Sequence, residues 1–239
     1  MKIAARACAF AVTGFALLYA PVAFAALTPA TDNSYSVDVR HQSPFGVKMN
    51  YAGGLGTFTQ WTNMEARGQA ERSSTRTCAS GETTNCTPAE WIRLLSDMQG
   101  KSLRQKLEIA NTAMNAHAYV PTEQNWHRAM YWESPFQFLH VGGQCQDYAI
   151  AKYELLRAAG VPASELQMVV LHASAINKDH AVLVAYADGE ALLLDNLRSR
   201  IVPTTEAGDY RPYYAINETG WFYANGGTAM PTHIAYGAR

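Results

Sequence analysis

Residues 180–195 read H-A-V-L-V-A-Y-A-D-G-E-A-L-L-L-D, two short apolar runs joined by Asp188-Gly189. An Asp-Gly pair between such runs is the chemistry of a two-residue hairpin turn, whose central residues need positive φ. With that pair as the loop, Ala187 faces Glu190 and Val182 faces Asp195. His180 then becomes the diagonal neighbour of Asp195 on one face of the sheet. Such diagonals lie about 7–8 Å apart at the backbone, a gap that an imidazole and a carboxylate can close. A slip of one residue would put the two on opposite faces.

Outward from this hairpin the text stays strand-like. Residues 166–171 (LQMVVL) form another continuous apolar run, and shorter strands are expected at 200–202, 213–216 and 221–223. Upstream the period is helical. Thr87-Pro88-Ala89-Glu90 offers a capping box ahead of Trp91, Leu94, Leu95 and Met98, a helix that stops at Gly100. Ser102 caps a second, with Leu103, Leu107, Ala110, Met114 and His117 on one stripe until Pro121, His117 being read as a packed helix-end residue. A third follows Gly142-Gly143 and runs over 145–158, closed by Gly160 and Pro162. Residues 26–68 read as irregular with one strand, and 68–87, rich in Ser, Thr and Gly, as a surface loop. Helices first and hairpin-joined strands later predict an α+β fold, N-terminal helices packed on a C-terminal antiparallel sheet.

Composition narrows the classes. Of 239 residues, 48% are hydrophobic and 16% charged, and 19 Lys+Arg stand against 20 Asp+Glu. That excludes a disordered, highly charged chain and the basic surplus of a nucleic-acid binder. No segment beyond the N-terminus approaches a membrane-spanning run, so no membrane insertion of the mature chain is expected. Residues 1–25 carry Lys2 and Arg6, an apolar stretch over 7–19, Pro21 and the small-residue pattern Ala23-Phe24-Ala25, which reads as a signal peptide cleaved after about Ala25. Its removal would leave residues 26–239 as one domain with 17 basic and 20 acidic side chains, a net charge of -3. A periplasmic location follows as the expectation.

Export favours disulfides. Cys8 leaves with the signal, and Cys78 and Cys86 bracket a short polar segment suited to a local loop disulfide. Cys145 is then the odd thiol. It opens the third helix, where unpaired N–H groups and the helix dipole favour an anion, and where its own amide is available to an oxyanion. Of seven His residues, His180 at the mouth of a strand has the best address for a base, with Asp195 to fix its tautomer and leave the other nitrogen for the sulfur. His41, His127, His140, His172 and His233 follow no metal-ligand spacing. Taken singly, each residue has an ordinary reading: a buried small hydrophobe for Cys145, a satisfied core histidine for His180, a turn former for Asp195. Trp126, Tyr131 and Trp132 are read as packing against the third helix more than as lining a groove.

These residues, in the order Cys, His, Asp, resemble the bacterial transglutaminase-like cysteine proteinases, the LapG family. The resemblance is carried by Y-W-E-S-P-F-Q-F (131–138), G-G-Q-C-Q-D-Y-A-I-A-K-Y (142–153), D-H-A-V-L-V-A-Y (179–186) and L-L-L-D-N-L (192–197), and continues more weakly over 210–221. It covers roughly residues 85–225. It implies a papain-like fold with Cys145 as nucleophile, His180 as base and Asp195 as orienting carboxylate. It also implies a periplasmic protease that cuts a protein substrate, a large surface adhesin near paired alanines, under a membrane receptor for cyclic di-GMP. Transamidation by the same triad and a catalytically silent binding module are the alternatives. One departure matters: where active members read G-D-C-E-D-Y, with acids belonging to a calcium site, this chain has Gln144 and Gln146, and Gln137 stands where Glu is frequent. Only Asp147 remains as a calcium-site candidate, itself equally explained as a helix N-terminal acid. Replacing two carboxylates by amides should weaken calcium binding greatly, so no metal and no cofactor are expected.

Overall fold

The computed structural model describes residues 43–74 and 76–226, so the expected signal peptide, His41 and His233 lie outside the described residues. Six helices and seven strands alternate only near the start: β1 (Met49–Gly53) and α1 (Thr59–Arg72) precede α2 (Ala89–Met98), α3 (Leu103–Asn115), α4 (Thr122–Trp126), α5 (Pro135–Val141) and α6 (Cys145–Ala158). Six strands follow, β2 (Leu166–Ala173), β3 (Lys178–Ala187), β4 (Glu190–Leu194), β5 (Val202–Pro203), β6 (Tyr210–Asn217) and β7 (Gly220–Ala224). They form one sheet in the order β1-β7-β6-β2-β3-β4-β5, and every ladder is antiparallel. The class is α+β, as expected.

The hairpin that opened the argument has the anticipated register. Asp188 and Gly189 both take positive φ, 55° and 81°, and the ladder runs from Ala187↔Glu190 to Leu183↔Leu194. The apolar runs are continuous because both faces of the central strands are covered. On β3, Ala181, Leu183, Ala185 and Ala187 join the core shared with the helices, whereas Val182, Val184 and Tyr186 join a second core on the opposite face, against which Phe45 and Val47 pack. α6 is buried from Asp147 to Leu156, so it is the element on which the helices and the sheet both close. Among the described residues no helix is long and apolar enough to cross a membrane.

Several local expectations need correction. Residues 59–72, read as irregular text and the start of a loop, are the helix α1. Its buried face is only Trp61, Met64 and Gly68, and its N-cap residue Phe58 makes no side-chain cap. Gly68 resembles a breaker in sequence, but it lies buried inside the helix, where an added Cβ would stand 3.0 Å from the Arg72 guanidinium. The polar loop therefore begins at Ser73. The capping box at Thr87 does not form: the helix starts after Pro88, without a side-chain cap, and Glu90 turns to His117 at 3.4 Å instead. Thr87 closes the loop, since its carbonyl accepts from Cys78 N–H and its hydroxyl donates to the Ser74 carbonyl, around the Cys78–Cys86 disulfide. The short helices α4 and α5 were not foreseen, although Ser134 and Gln137 form a reciprocal capping box at the start of α5. The strand expected at 200–202 is the two-residue β5, and β6 begins three residues earlier than anticipated.

The approach to α6 depends on backbone that only glycine adopts. Gly142 has φ +72°, and a Cβ there would stand 2.2 Å from the Ala118 carbonyl oxygen. Gly142→Ala should therefore cost on the order of 2–3 kcal/mol, combining positive-φ strain with a backbone clash. Urea denaturation checks this: the midpoint falls for Gly142→Ala and barely moves for a glycine in open space such as Gly54→Ala.

Candidate active site

α6 starts under tight local control. Gly143 N–H bonds the Ala118 carbonyl and Val120 N–H returns to the Gly143 carbonyl, so the chain enters the helix pinned against residues 118–120. Gln144 is the N-cap, and Asp147 Oδ2 accepts its backbone N–H at 2.8 Å. Cys145, the first helical residue, therefore presents its backbone N–H and side chain at the open end of the helix. It is the free cysteine of the described chain, half-buried, with Sγ 3.6 Å from Gln146 Oε1.

The hairpin delivers the other two groups. His180 lies near the start of β3 and Asp195 immediately beyond β4, and Nε2 of His180 meets Oδ1 of Asp195 at 2.8 Å. That bond takes Nε2 and leaves Nδ1 as the ring nitrogen open to the Cys145 sulfur, which is close enough to His180 to help raise its pKa. The three predicted residues are thus neighbours, with His180 and Asp195 both buried. Asp195 is held further by Leu197 N–H on Oδ1 (3.0 Å) and by the Tyr210 hydroxyl on Oδ2 (2.6 Å). Arg198 Nε lies 3.7 Å from the same Oδ2.

The electrostatics follow from these contacts. Burial opposes a charged imidazole, but the Asp195 carboxylate and the Cys145 sulfur outweigh it and raise His180 from an ordinary 6.5 to about 9. Burial likewise opposes the Asp195 charge, and the bonds from His180, Leu197 and Tyr210 hold it below the usual carboxylate range. This is the polarity that a thiol nucleophile with a paired base requires: a carboxylate fixed as an anion behind a ring that keeps its proton.

A model of the bacterial transglutaminase-like cysteine proteinase family matches residues 73–219, more than half of the chain. The chain belongs to this family. Among solved structures it is similar to LapG of Legionella pneumophila, at 32% identity and a TM-score of 0.52 over 58% of this chain and 77% of that one. The same protein treated with EGTA gives 32% identity and TM-score 0.52. Its calcium-bound form gives 26% identity and TM-score 0.52 over 71% of this chain and 90% of that one. No curated protein matches.

The calcium-bound relative makes the acids around Cys145 worth testing as ligands, and they do not fit. Asp147 is buried, and both its oxygens face donors: Oδ1 takes Glu133 N–H at 2.9 Å, and Oδ2 takes Gln144 N–H and Gln146 Nε2 at 3.1 Å. Gln144 Oε1 accepts from the Thr122 hydroxyl (3.1 Å) and from Gln146 Nε2 (3.4 Å). The oxygens of Asp147 are already taken by N–H donors, two interlocked amides replace charged ligands, and Glu133 Oε2 is the one unbonded carboxylate oxygen beside them, whereas calcium takes six to eight oxygens with carboxylates among them. Burial, reinforced by the neighbouring Glu133, also pushes Asp147 well above the usual carboxylate range. Among the described residues no group of three or more His, Cys, Asp or Glu side chains is arranged to hold a metal ion.

The remaining candidates take structural places. Trp126 and Tyr131 stack at 4.7 Å, Trp126 Nε1 donates to Glu133 Oε1 at 2.7 Å, and Trp132 is buried in the helical core. His117 packs on Phe138, as expected of a helix-end residue. His172 meets Asp179 at 3.4 Å, away from the thiol. Sequence reasoning missed Tyr210, Leu197 N–H and Asn115, whose Nδ2 holds the Asp195 carbonyl at 2.9 Å. Tyr210 opens the weakly matching segment at 210–221, which was the available signal; the backbone amide and Asn115 left none.

Because His180 is raised in the folded state, its contribution to stability is complete below about 6.5 and lost as pH rises through about 9. The unfolding free-energy difference between wild type and His180→Gln, which cancels other titrating groups, should be largest near pH 6. It should shrink on the order of 3 kcal/mol by pH 10. Denaturant melts of both proteins at five pH values measure it.

Proposed function

We propose that this protein is an exported cysteine protease that uses Cys145 as nucleophile, His180 as acid and base and Asp195 as the orienting carboxylate. The observation that carries this is the His180 ring held by Asp195 at 2.8 Å beside Cys145, the free thiol at the open end of α6. In the reaction the sulfur, having given its proton to His180, attacks a peptide carbonyl carbon. The carbonyl oxygen gains negative charge, and the Cys145 backbone N–H at the helix N-terminus is placed to receive it. His180 returns the proton to the leaving amine as the C–N bond breaks. Water, deprotonated by the same ring, then releases the acyl group and regenerates the thiol.

Family membership supports a protein substrate. We place that substrate among surface or periplasmic proteins, with a surface adhesin under a membrane receptor as the specific form suggested by the LapG-like motifs. The reading of residues 1–25 as a signal peptide and the Cys78–Cys86 disulfide support a periplasmic site of action. The amide network around Asp147 supports an enzyme that works without calcium.

Two outcomes are expected. Incubated with extracellular proteins of its own source, the purified protein generates new N-termini that terminal sequencing detects, and Cys145→Ala generates none; equal cleavage by both would remove the nucleophile. EGTA leaves the wild-type rate within about twofold, and calorimetry shows no micromolar calcium binding.

A further inference from the structure

Lys152 is a buried charged residue of α6 that the proposed reaction does not use. It lies seven residues, two helical turns, beyond Cys145 and so on the same face of α6. Its side chain is 0% exposed, and Nζ has no hydrogen-bond partner. A lysine in that condition is costly, and a helix interior offers Leu or Met at no such cost.

Its surroundings can be fixed from two bonds. Lys106, near the start of α3, donates to the carbonyl of Ala159 at the end of α6, and Tyr148, near the start of α6, donates to the carbonyl of His117 just past α3. The helices are therefore antiparallel over equal lengths of chain, and Lys152 lies level with Ala113, between Asn111 and Asn115. Both asparagines carry a buried Oδ1 without a hydrogen bond. At this level α3 and α6 carry one buried ammonium and two buried amide oxygens, none of them hydrogen-bonded. Asn115 bonds the Asp195 backbone with its other amide atom, at 2.9 Å, so the end of α3 reaches the triad.

Resting on the triad reading above, we propose that Lys152 is a positioning residue for it: a buried ammonium, bracketed by Asn111 and Asn115, whose charge acts on Asp195 and favours the anionic members of the triad. Apart from His140 on α5, whose Nε2 is also buried without a hydrogen bond, the other ionisable side chains on the elements packed against α6 are bonded or exposed. On α2, Glu90 meets His117 and Arg93 meets Asp97; on α3, Arg104 meets Glu190, Lys106 meets the Ala159 carbonyl and Glu108 is exposed. α5 carries His140, β2 carries His172 beside Asp179, and β3 carries Lys178, which is exposed, Tyr186, bonded to Gln167, and His180 itself. On α6, Glu154 pairs with Arg72, Arg157 with Glu218, and Asp147 is held by backbone N–H groups. Asp195 is the charge that acts on Lys152; burial works against it and brings the ammonium down to about 7. The charge is therefore present in acid and gone in mild alkali, which gives the proposal a signature that packing alone lacks.

The test is the rate of Cys145 alkylation by iodoacetamide, read by peptide mass spectrometry from pH 5.5 to 9, in wild type, Lys152→Met, Lys152→Gln and His180→Ala. Lys152→Met should be fivefold or more slower than wild type below about pH 6.5 and equal to it by pH 8.5, with an unchanged or raised melting temperature. Rates that match wild type at every pH, or that fall by one constant factor throughout, overturn the proposal. His180→Ala is the separate control: if it alkylates as fast as wild type, the triad reading fails and takes this inference with it. Should the Lys152 variants not fold, lysine labelled with carbon-13 at Cε decides in the wild-type background. One lysine should titrate near pH 7 and lower still in Asp195→Asn; the absence of such a lysine, or its indifference to Asp195, overturns the proposal.

Discussion

The hydrogen bond between His180 and Asp195 is the constraint on which the site depends, and it is set by hairpin register. Two residues fifteen apart in sequence meet because Asp188 and Gly189 accept positive φ and turn the chain in two residues. A longer or slipped turn would send one side chain to the opposite face. The register is enforced independently of the turn: both faces of β3 and β4 are apolar, so a slip would disturb two cores at once, one beneath the helices and one beneath Phe45 and Val47. Packing therefore secures a polar contact, and that contact is what the proposed chemistry uses.

The third member of the site arrives by a different device. Gly142 and Gly143 let the chain pass closely against residues 118–120, and Asp147 caps the helix that follows, so Cys145 is aimed by backbone geometry and by an acid that faces N–H donors. In this chain the acid is locked with Gln144, Gln146 and Thr122 into a network of amides and a hydroxyl. Where a relative has been solved with calcium, this protein holds the start of its nucleophile helix with hydrogen bonds among its own side chains. Calcium ligation depends on charged oxygens, and two of the positions beside Cys145 carry neutral amides in this chain.

How much of this was legible follows from what each element is made of. β3, β4 and their turn were readable because Asp-Gly chemistry and continuous apolar runs both point one way, and α6 was bounded correctly by glycines on either side. α1 was not, because its buried stripe is Trp61, Met64 and Gly68, two residues that no period reveals and one that resembles a stop. The box at Thr87 failed because the hydroxyl found the Ser74 carbonyl, a tertiary partner that sequence spacing does not show. At the candidate site, the residues proposed to carry chemistry on their side chains were visible by type and order. Those that act through the backbone, such as Leu197, or across helices, such as Asn115 and Lys152, became visible only with their neighbours in place.

The account stands on a ring that keeps its proton because a carboxylate and a sulfur face its two nitrogens. Nitrogen-15 resonances of His180 in the folded wild-type protein measure that directly. Both ring nitrogens should report protonation at pH 7.5, with a midpoint near 9 that falls in Asp195→Asn and in Cys145→Ala. A ring that is singly protonated at pH 7.5, titrating at or below 6.5 and indifferent to both substitutions, would contradict it.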